Sequence, residues 1–387
     1  MSEKITCSIC GEMVHSVQLH LRDAHPEITL EDYRKSYPDA PIMSNLAKQR
    51  LEQKLKERKE ESLVTEMSGA AATVTVLNTA MRKPMHEVFN LGKVKAAMNA
   101  RGEPIPIAVL PSTEYDDMIP DKDPGYIFNI DLLKTTLLGL ELKIPVYLWG
   151  HAGVGKSTLV EQVCAHTGRP YMRIQHTINT EESHIVGQTL ANESGTYFEP
   201  GPLTLAMKNG WVYNADEYDY AHASVLSVYQ AVLEGKPLVI KEAPAEFRVV
   251  HPHENFRFMA TGNTNGAGDE TGLYSGTNVG NAANYSRFGI VEKVEYMPKS
   301  QETLVIVNQA GVAKEDAQKL VEFAGLIRSS YEASKMGATV GPRELIYAGM
   351  IGLRRGSWIT GLQLAFINRL GKVDRETAMG LAQRTFG

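Results

Sequence analysis

A glycine-rich segment at residues 150–158 constrains this chain more than any other feature. It follows the apolar run 144–149 and precedes a helical pattern carried by Val160, Val163 and Cys164. A strand, a glycine loop and a helix in this order form a P-loop, whose backbone N–H groups bind phosphates at a helix N-terminus. The segment consists of Gly150, His151, Ala152, Gly153, Val154, Gly155, Lys156, Ser157 and Thr158. We therefore predict a nucleotide site in which Lys156 contacts the β- and γ-phosphates and Ser157 binds Mg²⁺.

A second motif follows the P-loop at a spacing of about sixty residues. The apolar run 211–215 ends in Asp216 and Glu217, as a Walker B strand does. Asp216 is expected to hold Mg²⁺ and Glu217 to polarise the attacking water, because in-line phosphoryl transfer needs charge stabilisation and an oriented nucleophile. Asn214 places a polar side chain inside this run, and we expect it to be hydrogen-bonded.

Strand and helix patterns alternate from residue 126 onwards. Strands are predicted at 145–149, 171–175, 211–215, 256–261 and 290–296, with helical stretches between them. Such alternation is typical of an α/β fold with a parallel sheet covered on both faces. Asn263 follows the fourth strand at the sheet edge where ligands bind in such folds. Residues 299–387 read as helices only, which predicts an all-helical lid.

These residues resemble the AAA+ ATPases in type and order. The resemblance implies ATP as the nucleotide, Asn263 as sensor 1, Arg287 as an arginine finger, and Arg343 in Gly341-Pro342-Arg343 as sensor 2. The whole sequence is predicted to have four parts: a zinc finger at 1–40, a charged helix and linker at 41–125, the large α/β domain at 126–298 and the lid at 299–387. Ser286 precedes the candidate arginine finger, Arg287, at a position where Asp is common.

A closer resemblance is to the MoxR-type AAA+ proteins, and within them to the ATPase subunit of aerobic cobaltochelatase. It rests on the segments 216–219, 260–264, 272–274, 276–287 and 383–387. It implies a homo-hexameric ring in which Arg287 reaches the ATP of a neighbouring subunit. It also implies a hairpin insert at about 183–201, a second insert at about 237–253, and a partner such as a von Willebrand factor A-type protein or a chelatase subunit.

The N-terminal segment combines cysteines and histidines at metal-ligand spacing. Cys7, Cys10, His20 and His25 supply two thiolates and two imidazoles, which suit tetrahedral Zn²⁺. His15 is an alternative to His20. The short loop between the pairs, followed by Thr29-Leu30-Glu31-Asp32-Tyr33, resembles the small zinc finger of the Ros/MucR type.

Residues 41–125 carry fewer signals. Residues 44–67 are rich in Lys, Glu, Gln and Leu without Gly or Pro, which predicts a solvated helix. The small residues at 68–72 and the prolines and aspartates at 100–125 predict that residues 68–125 form a linker with partial structure.

Chain length and the distribution of apolar residues limit the classes of protein to consider. The 387 residues predict two or three units, and no apolar run reaches the length of a membrane span. The N-terminus lacks the apolar stretch of a signal peptide, so we expect a cytoplasmic protein without membrane contact.

Three functions fit these motifs. The favoured one is an ATP-hydrolysing remodelling motor acting on a partner protein. The alternative is a nucleic-acid-acting ATPase with the zinc finger as its DNA contact, against which the net charge of −5 and the lack of a Lys/Arg cluster count. A ring that binds nucleotide without turnover is the third, and the presence of both Glu217 and Arg287 argues against it.

Overall fold

The computed structural model describes residues 4–14, 16–25, 30–37, 40–42, 44, 80–193, 195–269, 272–274 and 276–387. The chain divides into two compact units, Met1–Asn78 and Thr79–Gly387. Except for Ser44, the predicted charged helix at 44–67 lies outside the described residues, as does the break at 68–72.

The first unit is a small turn-and-helix structure. Strand β1 (Ile5–Thr6) pairs antiparallel with β2 (Met13–Val14), and helices α1 (Val17–Ala24) and α2 (Leu30–Ser36) follow. In its described part the buried apolar residues are few: Cys7, Val17, Leu21 and Tyr33. The Tyr33 hydroxyl accepts a hydrogen bond from the Ser8 N–H at 2.9 Å, which ties α2 to the cysteine turn.

The second unit is built on a five-stranded parallel sheet. The strands in its described part are β3 Met81–Pro84, β4 Pro106–Val109, β5 Val146–Trp149, β6 Tyr171–Gln175, β7 Gly187–Asn192, β8 Gly195–Pro200, β9 Val212–Asp216, β10 Leu238–Val239, β11 Val249–Val250, β12 Arg257–Gly262 and β13 Ile290–Lys293. The sheet order is β13-β5-β12-β9-β6, with every neighbouring pair parallel. The five strands predicted from the sequence are these five.

Helices cover both faces of this sheet and form the C-terminal part. They are α3 Met85–Val88, α4 Ile130–Leu142, α5 Lys156–Thr167, α6 Glu182–Val186, α7 Pro202–Asn209, α8 Ala223–Leu226, α9 Gln230–Leu233, α10 Ala245–Arg248, α11 Ala282–Tyr285, α12 Lys299–Ala310, α13 Lys314–Glu332, α14 Pro342–Arg355, α15 Trp358–Ala365 and α16 Lys372–Phe386. No helix among the described residues combines the length and apolarity that a membrane crossing requires.

Alternation along the central strands separates two cores. Val146 and Leu148 pack with α4 and α5 on one face, whereas Tyr147 packs with α7 and α9 on the other. Because β9 and β12 are buried along their whole length, both faces of the sheet are covered at its centre. A separate apolar core, which includes Phe323 and Phe366, holds α12–α16 together as the predicted helical lid.

The segment before α4 is more ordered than the predicted linker. Strands β3 and β4 pair antiparallel, with Met81 opposite Val109. Met85, Phe89 and Ile107 are buried in the same core as α4 and α5. These apolar side chains cover a helix surface that would otherwise face water, so residues 81–109 belong to the packed domain and do not act as a spacer.

Two antiparallel inserts interrupt the α/β pattern where the family resemblance implied them. β7 and β8 form a hairpin between α6 and α7, with Gly187 opposite Pro200. β10 and β11 pair ahead of β12, with Leu238 opposite Val250.

The lid contains a close helix crossing that a matched glycine pair can test. A Cβ added at Gly361 in α15 would lie 2.3 Å from the Ala348 carbonyl oxygen in α14, whereas one at Gly380 in α16 would meet no heavy atom of the described residues within 4 Å. We expect Gly361→Ala to destabilise the protein by about 1–3 kcal/mol through overpacking. Gly380→Ala should stabilise it by about 0.5–1 kcal/mol, because alanine loses less entropy in a helix. Thermal unfolding of both variants measures this, and equal shifts would contradict the crossing.

Candidate nucleotide site

The sheet order brings three loops to one edge. β12 lies between β5 and β9, so the segments that follow these three strands are neighbours. They carry the P-loop, the Asp216-Glu217 pair and Asn263. The structure therefore brings together the residues that sequence spacing assigned to nucleotide chemistry.

The P-loop backbone requires glycine at three positions. Gly150, Gly153 and Gly155 have φ of 151°, 80° and 93°, a range that side chains disfavour. Gly155 precedes the first residue of α5, so the loop delivers the helix N-terminus to the site. This terminus favours anions because its N–H groups have no partners within the helix.

Lys156 is buried at the centre of the site. Its Nζ donates to the carbonyl oxygens of Gly150 at 2.7 Å and His151 at 3.0 Å, and to Asn263 Oδ1 at 3.1 Å. Burial lowers the pKa of Lys156 to about 8, although the nearby carboxylates of Glu217, Asp219 and Asp216 favour the charged form. A buried ammonium among carbonyl oxygens is poised to exchange them for phosphate oxygens.

Three residues donate hydrogen bonds to the Asp216 carboxylate. The Ser157 hydroxyl donates to its Oδ1 at 2.5 Å, and the Thr261 hydroxyl donates to the same oxygen. Arg173 on β6 donates from Nε to Oδ2 at 2.8 Å. Burial raises the pKa of Asp216, but these hydrogen bonds and the Arg173 charge outweigh burial and leave the pKa lowered. The carboxylate is thus held ionised beside Ser157.

Glu217 and Asn263 face each other. Glu217 adopts φ of 54°, a conformation that is uncommon for a residue with a side chain. Its Oε2 accepts a hydrogen bond from Asn263 Nδ2 at 2.5 Å, while Asn263 Oδ1 faces Lys156. Burial raises the pKa of Glu217, opposed chiefly by the Lys156 charge. The asparagine amide therefore joins the lysine to the glutamate.

The sequence analysis gave no role at the site to several supporting residues, although Asp219, Thr261 and Tyr274 lie in the segments that carry the family resemblance. Asp219 Oδ2 accepts the backbone N–H groups of Asn263 at 2.9 Å and Thr264 at 2.8 Å, which fixes the end of β12. The Tyr274 hydroxyl accepts the Ala152 N–H at 3.1 Å and contacts His151 Nδ1 at 2.9 Å. Arg173 and Thr261 belong to the same group, and their contacts with Asp216, which is distant in sequence, give them their roles.

Asn214 is hydrogen-bonded as expected, through its Nδ2 to the Tyr171 hydroxyl at 2.9 Å. Its Oδ1 is buried and has no hydrogen-bond partner within the described part of the chain.

A cavity of about 340 Å³ opens beside the P-loop. Gly153, Val154, Gly155 and Thr158 form one wall, and Arg343 with Tyr347 and Met350 forms another from the lid. A Cβ built on Gly153 would lie 3.5 Å from Arg343 Cβ. Arg343 therefore lies at the P-loop, as its assignment to sensor 2 requires.

Arg287 makes different contacts. Its Nε donates to Glu234 Oε1 at 2.7 Å, and its Nη1 donates to the Ala283 carbonyl oxygen. Neither partner belongs to the P-loop, and the Arg287 side chain retains 26% exposure. Arg287 is thus held at the surface by contacts within the same chain.

The N-terminal unit holds a separate cluster. Potential ligand atoms of Cys7, Cys10, His20 and His25 all lie within 4.8 Å of one another, with Cys10 Sγ 3.1 Å from His20 Nε2. His25 Nε2 is buried and has no hydrogen-bond partner among the described residues. Two thiols and two imidazoles, one of which carries the unpaired buried nitrogen, fit a tetrahedral metal such as Zn²⁺. His15 lies outside the described residues.

The fold and this site define an AAA+ P-loop ATPase. Residues 145–288 match the family model of the AAA domain (dynein-related subfamily), and residues 302–383 match the CbbQ/NirQ/NorQ C-terminal model. The aerobic cobaltochelatase subunit CobS of a Sinorhizobium species is 30% identical over 283 residues, covering 70% of this chain and 84% of that protein. The chain belongs to the MoxR-type AAA+ family that contains CobS, CbbQ and NorQ.

Other similar proteins are more distant. CbbQ of Hydrogenophilus thermoluteolus is 26% identical over 210 residues, covering 54% of this chain and 74% of CbbQ. NorQ of Paracoccus denitrificans is 23% identical over 238 residues, covering 62% of this chain and 84% of NorQ. A solved structure of the Thermotoga maritima RuvB Holliday junction branch migration motor aligns with a TM-score of 0.39 at 13% identity, covering 69% of this chain and 72% of RuvB.

Proposed function

We propose that this ATPase is a hexameric remodelling motor that acts on a partner protein. The observation that carries the proposal is the joining of Lys156, Asn263 and Glu217 by hydrogen bonds at one sheet edge, beside the Ser157–Asp216 pair. An ordered lysine, metal site and carboxylate are what phosphoryl transfer to water requires. CobS is named as a subunit of a larger enzyme, which supports action with a partner.

Each residue has a distinct role in this proposal. Lys156 and the P-loop N–H groups bind the β- and γ-phosphates of ATP, and Arg343 contacts them from the lid. Ser157 and Asp216 hold Mg²⁺, which when bound neutralises phosphate charge. Glu217 orients the attacking water, and Asn263 fixes the Glu217 carboxylate for that task.

Because Lys156 and Glu217 have different roles, replacing them should cause two different defects. Lys156→Ala should abolish ATP binding, because it removes the cation that meets the ground-state phosphates. Glu217→Gln should bind ATP with near wild-type affinity but lose about 100-fold or more in turnover, since the carboxylate acts on the way to the transition state. Equilibrium binding of a fluorescent ATP analogue and a phosphate-release assay separate the two. Wild-type turnover in Glu217→Gln would refute the role of that residue.

We propose further that Arg287 completes the site of a neighbouring subunit. Its contacts with Glu234 and Ala283, away from the P-loop of its own subunit, support this role. A guanidinium supplied from a second subunit stabilises charge on the transferred phosphoryl group. Hydrolysis would then require the ring.

A mixing experiment tests the shared site. Arg287→Ala and Lys156→Ala should each be inactive alone, yet a mixture should recover part of the activity, because some interfaces pair an intact P-loop with an intact Arg287. Lys156→Ala mixed with the Lys156→Ala/Arg287→Ala double variant is the control, and it should stay inactive. Absence of recovery in rings proven to be mixed would contradict a finger acting between subunits.

We propose that the N-terminal unit is an adaptor that folds around zinc and binds the partner protein. We expect the partner to be a von Willebrand factor A-type protein or a chelatase subunit, and we expect the complex to be cytoplasmic. The Cys7, Cys10, His20 and His25 cluster supports the metal. Between Gly11 and His25 the only Lys or Arg is Arg22, beside Asp23. A helix that reads a DNA groove needs several cations, so charge favours a protein target.

Metal removal tests the adaptor. The full chain should contain one zinc by elemental mass spectrometry, and Cys10→Ser should lose most of it because a tetrahedral site needs all four ligands. Deleting residues 1–67 should leave basal ATPase activity near wild type and abolish partner binding. Tight, sequence-selective binding of duplex DNA that depends on residues 1–67 would favour the nucleic-acid alternative instead.

A further inference from the structure

The outer wall of the nucleotide cavity comes from a segment that lies outside every sequence motif. Asp123, Gly125, Tyr126 and Ile127 line the cavity, opposite the P-loop glycines and next to Gln309 of the lid. The chain reaches this wall directly before α4. Side chains of α5 and α12 also hold its backbone.

One attachment runs to the P-loop helix. Gln162 on α5 is 4% exposed, and both the oxygen and the nitrogen of its side-chain amide are hydrogen-bonded. Oε1 accepts the Asp123 N–H at 2.8 Å, and Nε2 donates to the Asp121 carbonyl oxygen at 3.0 Å. A buried amide with both groups satisfied by one backbone segment fixes that segment against the helix that begins at Lys156.

The other attachment runs to lid helix α12. Asp123 Oδ2 accepts a hydrogen bond from Gln309 Nε2 at 2.6 Å, while Oδ1 accepts the Gly125 N–H at 2.8 Å. Asn308 Nδ2 donates to the Gly125 carbonyl oxygen at 3.4 Å. A Cβ built on Gly125 would lie 3.1 Å from Gln309 Nε2, so the two surfaces touch closely. The lid is thus joined to the wall by a charged hydrogen bond, which is stronger than a neutral one.

We propose that Asp123 is a positioning residue of the nucleotide site, which links the P-loop helix to the lid so that nucleotide affinity depends on the Asp123–Gln309 hydrogen bond. The inference rests on the proposed nucleotide site. Asp123 connects to α5 through its backbone and to α12 through its carboxylate. With this link made, the lid presents Arg343 and Tyr347 to the cavity; without it, the lid loses its attachment on the side of the cavity away from the P-loop.

The chemistry of the pair allows a charge-exchange test in the full-length protein. Gln309→Glu places a second carboxylate against Asp123, so repulsion replaces the hydrogen bond. Asp123→Asn combined with Gln309→Glu restores a donor facing an acceptor, while the oxygen of the introduced amide still accepts the Gly125 N–H. Gln318→Glu adds the same charge at an exposed lid position and is the matched control.

Equilibrium binding of mant-ATP is the readout, with phosphate release measured in parallel. We expect Gln309→Glu to raise the dissociation constant about tenfold, and the double variant to recover to within about threefold of wild type. Gln318→Glu should match wild type. Because exchanging the two groups restores a donor facing an acceptor, recovery in the double variant assigns the loss of affinity to this pair.

The outcomes separate the two proposals. If Lys156→Ala binds mant-ATP as tightly as wild type does, the nucleotide-site assignment fails and this inference fails with it. If Lys156→Ala loses binding but Gln309→Glu binds like wild type, only the link through Asp123 is refuted. A double variant as weak as Gln309→Glu, or weaker, also refutes it.

Discussion

The structure depends on burying one positive charge. The Lys156 side chain lies inside the P-loop, where desolvation opposes its ammonium and lowers its pKa to about 8. An unpaired buried ammonium would be costly, so the surroundings must supply negative charge and acceptors. Asp216, Glu217 and Asp219 supply the charge from the end of β9, and loop carbonyls with Asn263 supply the acceptors. Because these groups belong to different strands, the sheet order is a requirement of the site.

The carboxylates around Lys156 are held apart by different donors. Asp216 is fixed by Ser157, Thr261 and Arg173, so its carboxylate is held beside the first turn of α5. Asp219 instead uses Oδ2 for the backbone N–H groups of Asn263 and Thr264, and so supports the chain. Glu217 keeps a raised pKa and one amide partner. Three acids within four residues therefore have three separate tasks, set by their hydrogen-bond donors.

Local sequence signals predicted the fold and the centre of the site. The P-loop glycines, the apolar strands and the acidic pair each carry a local physical requirement, and their spacing along a parallel sheet implies that they meet. Arg173, Asp219, Tyr274 and Asp123 carry no such local signal. Each acts through a partner 40 or more residues away in sequence, as in the Arg173–Asp216, Asp219–Asn263, Tyr274–Ala152 and Asp123–Gln309 pairs. Residues 81–109 were assigned to a linker because this stretch is rich in polar residues and proline. Its few apolar side chains, which pack on α4 and α5, form no local pattern.

The contact between Arg287 and Glu234 bears on how a finger can serve another subunit. Both side chains are partly exposed, at 26% and 34%, so water screens their attraction and the pair contributes little to stability. Its geometry matters more, because the Ala283 carbonyl oxygen and Glu234 both accept hydrogen bonds from the guanidinium. A phosphate group of a neighbouring subunit would offer stronger charge and bidentate acceptors in exchange for a weak surface pair. In the proposed ring, the guanidinium would therefore lose little free energy when it leaves Glu234 for a phosphate.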